Sequence, residues 1–228
     1  RPPDLESGAA AGAYVVNWWV TTSDPEDDMD AEDLVRSHYS RDDLEERVLS
    51  ALKRVGVDVE SVRVDELAGI DQLHAGGIAA TEHVLEQLGL TAADALLDVG
   101  SGVGGPARLA AARCGCRVHG IDLSPDFVDL ARSLTERVGL TERVAFDVGS
   151  ATSLPYPDGT FSAAMMNHVG MNIADKAAVF AEVRRVLGPG GRFSVYDQMR
   201  VGDGDLTFPV PWAEDPAASF VETRQRYA

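Results

Sequence analysis

From Ala31 the apolar positions Leu34, Val35, Leu44, Val48, Leu49, Leu52 and Val55 recur at helical spacing, and Ser40 ahead of Asp42 and Asp43 is a helix-start signal. A second helix is predicted from Gly77 to Leu88, stopping at Gly89, where glycine suits the left-handed turn that closes a helix. These make an N-terminal helical cap over residues 31–90. Beyond it the pattern changes. Short apolar runs at Ala95–Val99, Arg117–Ile121, Val144–Val148, Phe161–Asn167 and Arg192–Tyr196 alternate with helical stretches near Gly105–Arg113, Pro125–Val138 and Asp175–Leu187. Strands alternating with helices predict an α/β fold, a Rossmann-like parallel sheet doubly wound with helices on both faces.

Composition narrows the partners. The 228 residues hold 37 acidic side chains against 20 basic ones, a formal net charge of -17, and Lys53 and Lys176 are the only lysines. Phosphate backbones are repelled by such a surface, so a small-molecule partner is expected, with no nucleic acid. Surplus carboxylates with few lysines suit a high-salt cytoplasm, although a GC-rich genome alone also favours Arg over Lys. Cys114 and Cys116 flank one glycine, poor spacing for a mutual disulfide and half of a zinc site, so reduced core cysteines and no metal are expected. No stretch approaches 18 consecutive apolar residues, and a cytoplasmic protein away from membranes is expected. The first residue is Arg1, and the Ala/Gly-rich then acidic stretch to Asp30 is expected to be a poorly ordered or non-native leader, with Met29 a plausible start.

The densest chemistry lies in Leu96-Leu97-Asp98-Val99-Gly100-Ser101-Gly102-Val103-Gly104-Gly105, an apolar strand feeding a glycine-rich turn and a helix. Such a loop lets backbone approach a ligand, but it also occurs as an ordinary strand-to-helix turn, and its spacing differs from the dinucleotide fingerprint. The next strand ends on Asp122, about twenty residues on, where a carboxylate can take both hydroxyls of a ribose; capping the helix after Leu123-Ser124-Pro125 is the alternative. Asn167 and His168 close the fourth strand, at the carboxyl edge where ligands sit in open α/β sheets.

The ordered set Asp98-Val-Gly-Ser-Gly-Val-Gly, the acid ending strand two, Leu154-Pro-Tyr-Pro-Asp-Gly-Thr-Phe161 and Val186-Leu-Gly-Pro-Gly-Gly191 resembles class I S-adenosylmethionine-dependent methyltransferases over residues 70–200. That resemblance implies S-adenosylmethionine as cofactor and a sheet ordered 3-2-1-4-5. By it the glycine loop with Asp98, Gly100, Ser101 and Gly102 approaches the methionine and ribose portion, Asp122 holds the ribose, Leu123 is a further cofactor contact, and Ser150 and Ala151 surround the adenine. Many members carry Asp where this chain has Ser150.

Three further passages, Asp71-Gln-Leu-His-Ala-Gly-Gly77, His168-Val-Gly-Met-Asn-Ile173 and Phe208-Pro-Val-Pro-Trp-Ala213, resemble sarcosine/dimethylglycine N-methyltransferase-like enzymes, which make glycine betaine. By this resemblance Gln72, Gly76 and Gly77 line the methionine end and Tyr39 closes over it. Asn167 and His168 are the catalytic candidates, Asn167 also touching the cofactor. Met171, Asn172 and Trp212 are candidates for the acceptor, Trp212 as an aromatic wall for an ammonium. Arg192 or Arg200 could pair a substrate carboxylate, a solvated surface role being the better expectation for each. The implied acceptor is an amine such as sarcosine or dimethylglycine; a quinone, phenol or other natural product methylated on oxygen or carbon is the alternative, and a non-catalytic cofactor-binding module a third. Residues 91–200 are the expected cofactor-binding core and 201–228 an acceptor-side loop. The family's final antiparallel strand pair is expected to be missing, and oligomeric state is not legible.

Overall fold

The computed structural model describes Glu32, residues 43–202 and residues 204–227. The expected leader over 1–30 and the expected lid residue Tyr39 lie outside the described residues.

Five strands, β1 (Ala95–Val99), β2 (Arg117–Asp122), β3 (Val144–Val148), β4 (Phe161–Asn167) and β5 (Leu187–Tyr196), form one parallel sheet in the order β3-β2-β1-β4-β5, as expected. Strand alternation sends neighbouring side chains to opposite faces. Leu96, Val118, Phe146, Ala163 and Met165 enter one core with helices α3 (Gly77–Leu88), α4 (Gly105–Cys114) and α5 (Pro125–Arg137). Leu97, Val99, Ile121, Ala164 and Met166 enter the other with α6 (Lys176–Val186). Both faces being covered explains why the strands are nearly continuous apolar runs. At β5 the pairing starts earlier than the Arg192 expected from the sequence: Leu187 already faces Phe161, an irregularity follows, and Arg192 resumes opposite Ala163.

Ahead of the sheet, α1 (Leu44–Arg54), α2 (Val64–Asp71) and the segment between them pack Val48, Leu52, Val62 and Leu67 against Val103, Leu130 and Leu134. The two-turn α2 was not expected. It ends in a buried ion pair, Asp71 with Arg108 of α4 at 3.0 Å, the side chains 1% and 0% exposed. Arg108 also donates to the carbonyls of Val103 and Ala131 and to Thr135 Oγ1, which ties α2, the glycine loop and α5 together. Gly105 makes this approach possible, since a Cβ there would stand 2.1 Å from the Asp71 carbonyl oxygen. Past β5 the chain forms a short 3-10 turn, Pro216–Ala218, and α7 (Arg224–Tyr227). No helix among the described residues is long and apolar enough to cross a membrane.

Candidate active site

A cavity of about 520 Å³ opens at the carboxyl edge of the sheet. It lies where β1 and β4 part, because the chain winds outward in one direction through β2 and β3 and in the other through β4 and β5.

The β1–α4 loop forms its floor. Gly100, with φ of +71°, and Ser101 both donate their N–H to the Ile121 carbonyl, at 2.8 and 3.0 Å, pulling the loop across the end of β2. Val169 packs on Gly100 so closely that a Cβ there would lie 2.3 Å from its Cγ2. Asp122 serves two local purposes: Oδ2 accepts from Gly102 N at 2.7 Å and Oδ1 from Ser124 N at 3.0 Å. The capping residue proper is Ser124, whose Oγ takes Phe127 N. Burial raises the Asp122 pKa, opposed by these backbone donors.

Three buried polar atoms beside this floor have no hydrogen-bond partner: Asp98 Oδ2, Ser101 Oγ and Asn167 Oδ1. All three residues line the cavity, from the ends of the neighbouring strands β1 and β4. Burial, and secondarily the charge on Asp122, push Asp98 up to about 8, against a hydrogen bond from the Ala107 backbone and the charge on Arg108. Such orphaned acceptors are uncommon in folded proteins and mark a place built for a donor.

Opposite, the rings of His74, His168 and Tyr196 gather, with centroids 5.2 Å apart for His168 and Tyr196, 5.9 Å for the two histidines and 6.1 Å for His74 and Tyr196. His168 adopts φ of +55°, and its N–H donates to the Tyr196 carbonyl at 2.7 Å, which fixes the turn after β4. Burial, then the neighbouring His74, hold His168 down at about 4, so the ring is neutral at pH 7. His74 Nδ1 stands 3.1 Å from the Ala75 carbonyl, which can only accept, so that nitrogen carries a proton. Its Nε2 lies 2.9 Å from Thr81 Oγ1, which in turn lies 2.6 Å from Gln72 Oε1. Thr81 donates its proton to Gln72, and burial lowers the His74 pKa against the Ala75 carbonyl and the charge on Asp71.

Of the candidates read from sequence, Asp98, Gly100, Ser101, Gly102 and Asp122 line the cavity, as do Leu123, Ser150, Ala151, Asn167, His168 and Asn172. The structure does not bring Gln72, Gly76, Gly77, Met171 or Trp212 into that lining. Gln72 serves the His74 network from behind, and Gly76 (φ +79°) starts α3 beneath the Tyr196 hydroxyl. Met171 is buried, its carbonyl taking Phe220 N. Trp212 donates Nε1 to Ser219 Oγ at 3.0 Å, and Asn172 Nδ2 donates to the carbonyls of Trp212 and Ala218. These contacts fasten residues 212–220 to the turn after β4. Arg192 sits at the far, amino-terminal edge of the sheet, on Asp94 and the Leu88 carbonyl, and Arg200 donates to the Gly204 carbonyl. Asp71, His74 and Glu32 line the cavity without having been singled out. A charged Arg108 within the otherwise apolar Pro106-Ala-Arg-Leu-Ala-Ala-Ala112 signalled a buried partner, but not which one. Among the described residues no group of three His, Cys, Asp or Glu side chains is placed to hold a metal ion.

Residues 97–195 match the family model described as a methyltransferase domain. Methyltransferase GfsG of Streptomyces halstedii is 37% identical over 130 residues, which is 57% of this chain and 47% of that protein. Over residues 97–195 the core is similar to S-adenosylmethionine-dependent methyltransferase domains. Its chain spans about half the length of that relative. Among solved structures, the 4+2 cyclase SpnF is 26% identical with a TM-score of 0.63, the match covering 87% of this chain and 70% of that one. A putative sarcosine dimethylglycine methyltransferase from Galdieria sulphuraria is 20% identical at a TM-score of 0.52, over 67% and 59% of the two chains, a likeness of fold alone. S-adenosylmethionine is the cofactor this likeness implies, and the cavity suits it: an ammonium has three N–H donors, and three buried acceptors stand without one.

Proposed function

We propose that the protein transfers a methyl group from S-adenosylmethionine to the oxygen or carbon of a small, uncharged acceptor such as a phenol, quinone or related natural product. The observation that carries the cofactor half of this reading is the convergence of unpartnered Asp98 Oδ2, Ser101 Oγ and Asn167 Oδ1 on one cavity. Asp98, Ser101 and Asn167 would hold the methionine ammonium, Asp122 the ribose hydroxyls, and Leu123 and Ala151 the faces of the adenine. The bound cofactor supplies an activated methyl group on a sulfonium; the protein's own work is to orient the acceptor in line with it and to exclude water.

Charge supports this choice of acceptor. No arginine or lysine is among the described residues lining the cavity, while Glu32, Asp71, Asp98, Asp122 and Asp175 are. Sarcosine and dimethylglycine, the amines suggested by the sequence motifs, carry a carboxylate to which no described side chain of the lining offers a cation. An uncharged acceptor needs none and fits the apolar wall of Leu73, Val169, Ile173 and Ala178. His168 lies at the acceptor side. A ring with a pKa near 4 is a weak base. A hydroxyl being methylated turns strongly acidic, however, so the ring need only take the proton as the new bond forms.

The test is a labelled-methyl transfer assay on a panel holding dimethylglycine, sarcosine, catechols and hydroxyquinones. Label in a phenolic or quinone product supports the reading, and label in dimethylglycine alone overturns the acceptor assignment. The likeness to SpnF favours a second reading, in which the cavity binds cofactor while shaping a substrate for ring closure; bound cofactor with no labelled product from any acceptor would turn the account that way.

A further inference from the structure

Glu32 is 118 residues away in sequence from the loop it meets. Its Oε1 accepts from Ser150 Oγ at 2.5 Å, and the single Thr152 hydroxyl proton is shared between Ser150 Oγ at 2.8 Å and the same carboxylate oxygen at 3.4 Å. Thr152 N donates to Ser150 Oγ at 3.2 Å, so backbone, hydroxyls and carboxylate form one small network at the end of β3. Both bonds fall on one oxygen, and Oε2 takes none among the described residues. The side chain is half-buried and lines the same cavity as Asp122.

An acid in that place needs a reason. It adds negative charge to a cavity that already holds four other carboxylates, and among the described residues no cation pairs with it. The cavity runs from Asp122, past Leu123 and Phe127, to Gly149, Ser150 and Ala151. A nucleoside whose ribose rests on Asp122 therefore places its base between these apolar side chains, with the base's outer edge toward Ser150. On an adenine that edge carries an exocyclic amine, which can only donate.

We infer that Glu32 is a cofactor-specificity residue: its carboxylate, set by Ser150 and Thr152, accepts from the exocyclic amine of the adenine and rejects a base with a carbonyl there. The inference rests on the cofactor reading above. A carboxylate facing a carbonyl leaves two acceptors opposed and both unpaired, which is how a site discriminates between isosteres. Glutamine at the same position presents an NH₂ group as well as an oxygen and can serve either base.

The experiment is calorimetric titration of the 228-residue protein and of Glu32→Gln and Glu32→Ala with S-adenosylhomocysteine and with S-inosylhomocysteine, in which a carbonyl replaces the amine. Thermal melting confirms that each variant is folded. The unaltered protein is expected to prefer the adenosyl ligand by at least about tenfold, the order of a charged hydrogen bond. Glu32→Gln is expected to reduce that preference to about threefold or less, mainly by improving inosyl binding. Glu32→Ala is expected to weaken adenosyl binding with little effect on inosyl binding. Equal loss for both ligands in both variants, or an unchanged preference, overturns the role of Glu32 while leaving the cofactor reading in place. Failure of the unaltered protein to bind either ligand overturns both.

Discussion

Asp98 offers the sharpest physical test of the cofactor site. Its carboxyl is fully buried and pushed up to about 8 when nothing donates to Oδ2. At pH 6, two units lower, about 99% of the ligand-free protein therefore carries a proton on Asp98. An ammonium arriving beside it requires the ionised form. Binding should thus release close to one proton per site at pH 6, and apparent affinity should rise about tenfold from pH 6 to 7 and more slowly as 8 is reached, about 50-fold between pH 6 and 8. Above 8 the gain stops. The assay is calorimetry with S-adenosylhomocysteine in buffers of differing protonation heat, which yields the proton count directly. Asp98→Asn should bind more weakly, release no proton and show a flat pH dependence over that range. Stability supplies an independent arm. A carboxyl whose folded pKa is raised from 3.8 favours the protonated fold, and that stabilisation is lost as pH rises through 8. Ligand-free Asp98→Asn should therefore melt above the parent at pH 8, with the gap shrinking toward pH 5. Binding without proton release at pH 6, or an affinity unchanged between pH 6 and 8, would refute the pairing of Asp98 with an ammonium.

Other consequences follow from the same geometry. Either Asp71→Asn or Arg108→Met should cost about 3–5 kcal/mol in denaturant unfolding, by leaving a buried group of the 3.0 Å pair without its partner, whereas Asp71→Leu with Arg108→Met should cost less than either alone. Gly100→Ala forces a Cβ to within 2.3 Å of Val169 at a φ of +71°; it should lower stability by about 1–3 kcal/mol and weaken cofactor binding, and adding Val169→Ala should restore part of both losses. His168→Ala should reduce kcat for a hydroxyl acceptor by about 100-fold or more. Because that ring sits near 4, kcat of the parent at saturating cofactor should be flat from pH 5.5 to 7.5, and an acid limb near 6.5 would contradict the assignment.

The sheet was legible because both faces are covered, which makes every strand an apolar run bounded by turn residues. The glycine loop, Asp122 and the Asn167-His168 edge were legible for a related reason: their chemistry is local, and strand ends in such folds converge on one place. What escaped depended on contacts between distant parts of the chain. Helix α2 is only two turns long, and it is held by Asp71 reaching Arg108, 37 positions away. Within residues 71–77 spacing cannot show that Leu73 and His74 line the cavity while Gln72 points back to Thr81. Trp212 lies outside the cavity lining, its Nε1 donating to Ser219 in a loop contact that spacing could not show. Glu32 had no local signal at all, because its partners Ser150 and Thr152 lie in a different third of the chain.

The central claim is that the cavity between β1 and β4 is an S-adenosylmethionine site. Calorimetric titration of the 228-residue protein with S-adenosylmethionine, with NAD as the control ligand, tests it most directly. Saturable binding of one S-adenosylmethionine per chain, weakened in Asp98→Asn and Gly100→Ala and absent with NAD, is the predicted result; no binding, or equal binding of NAD, would contradict it.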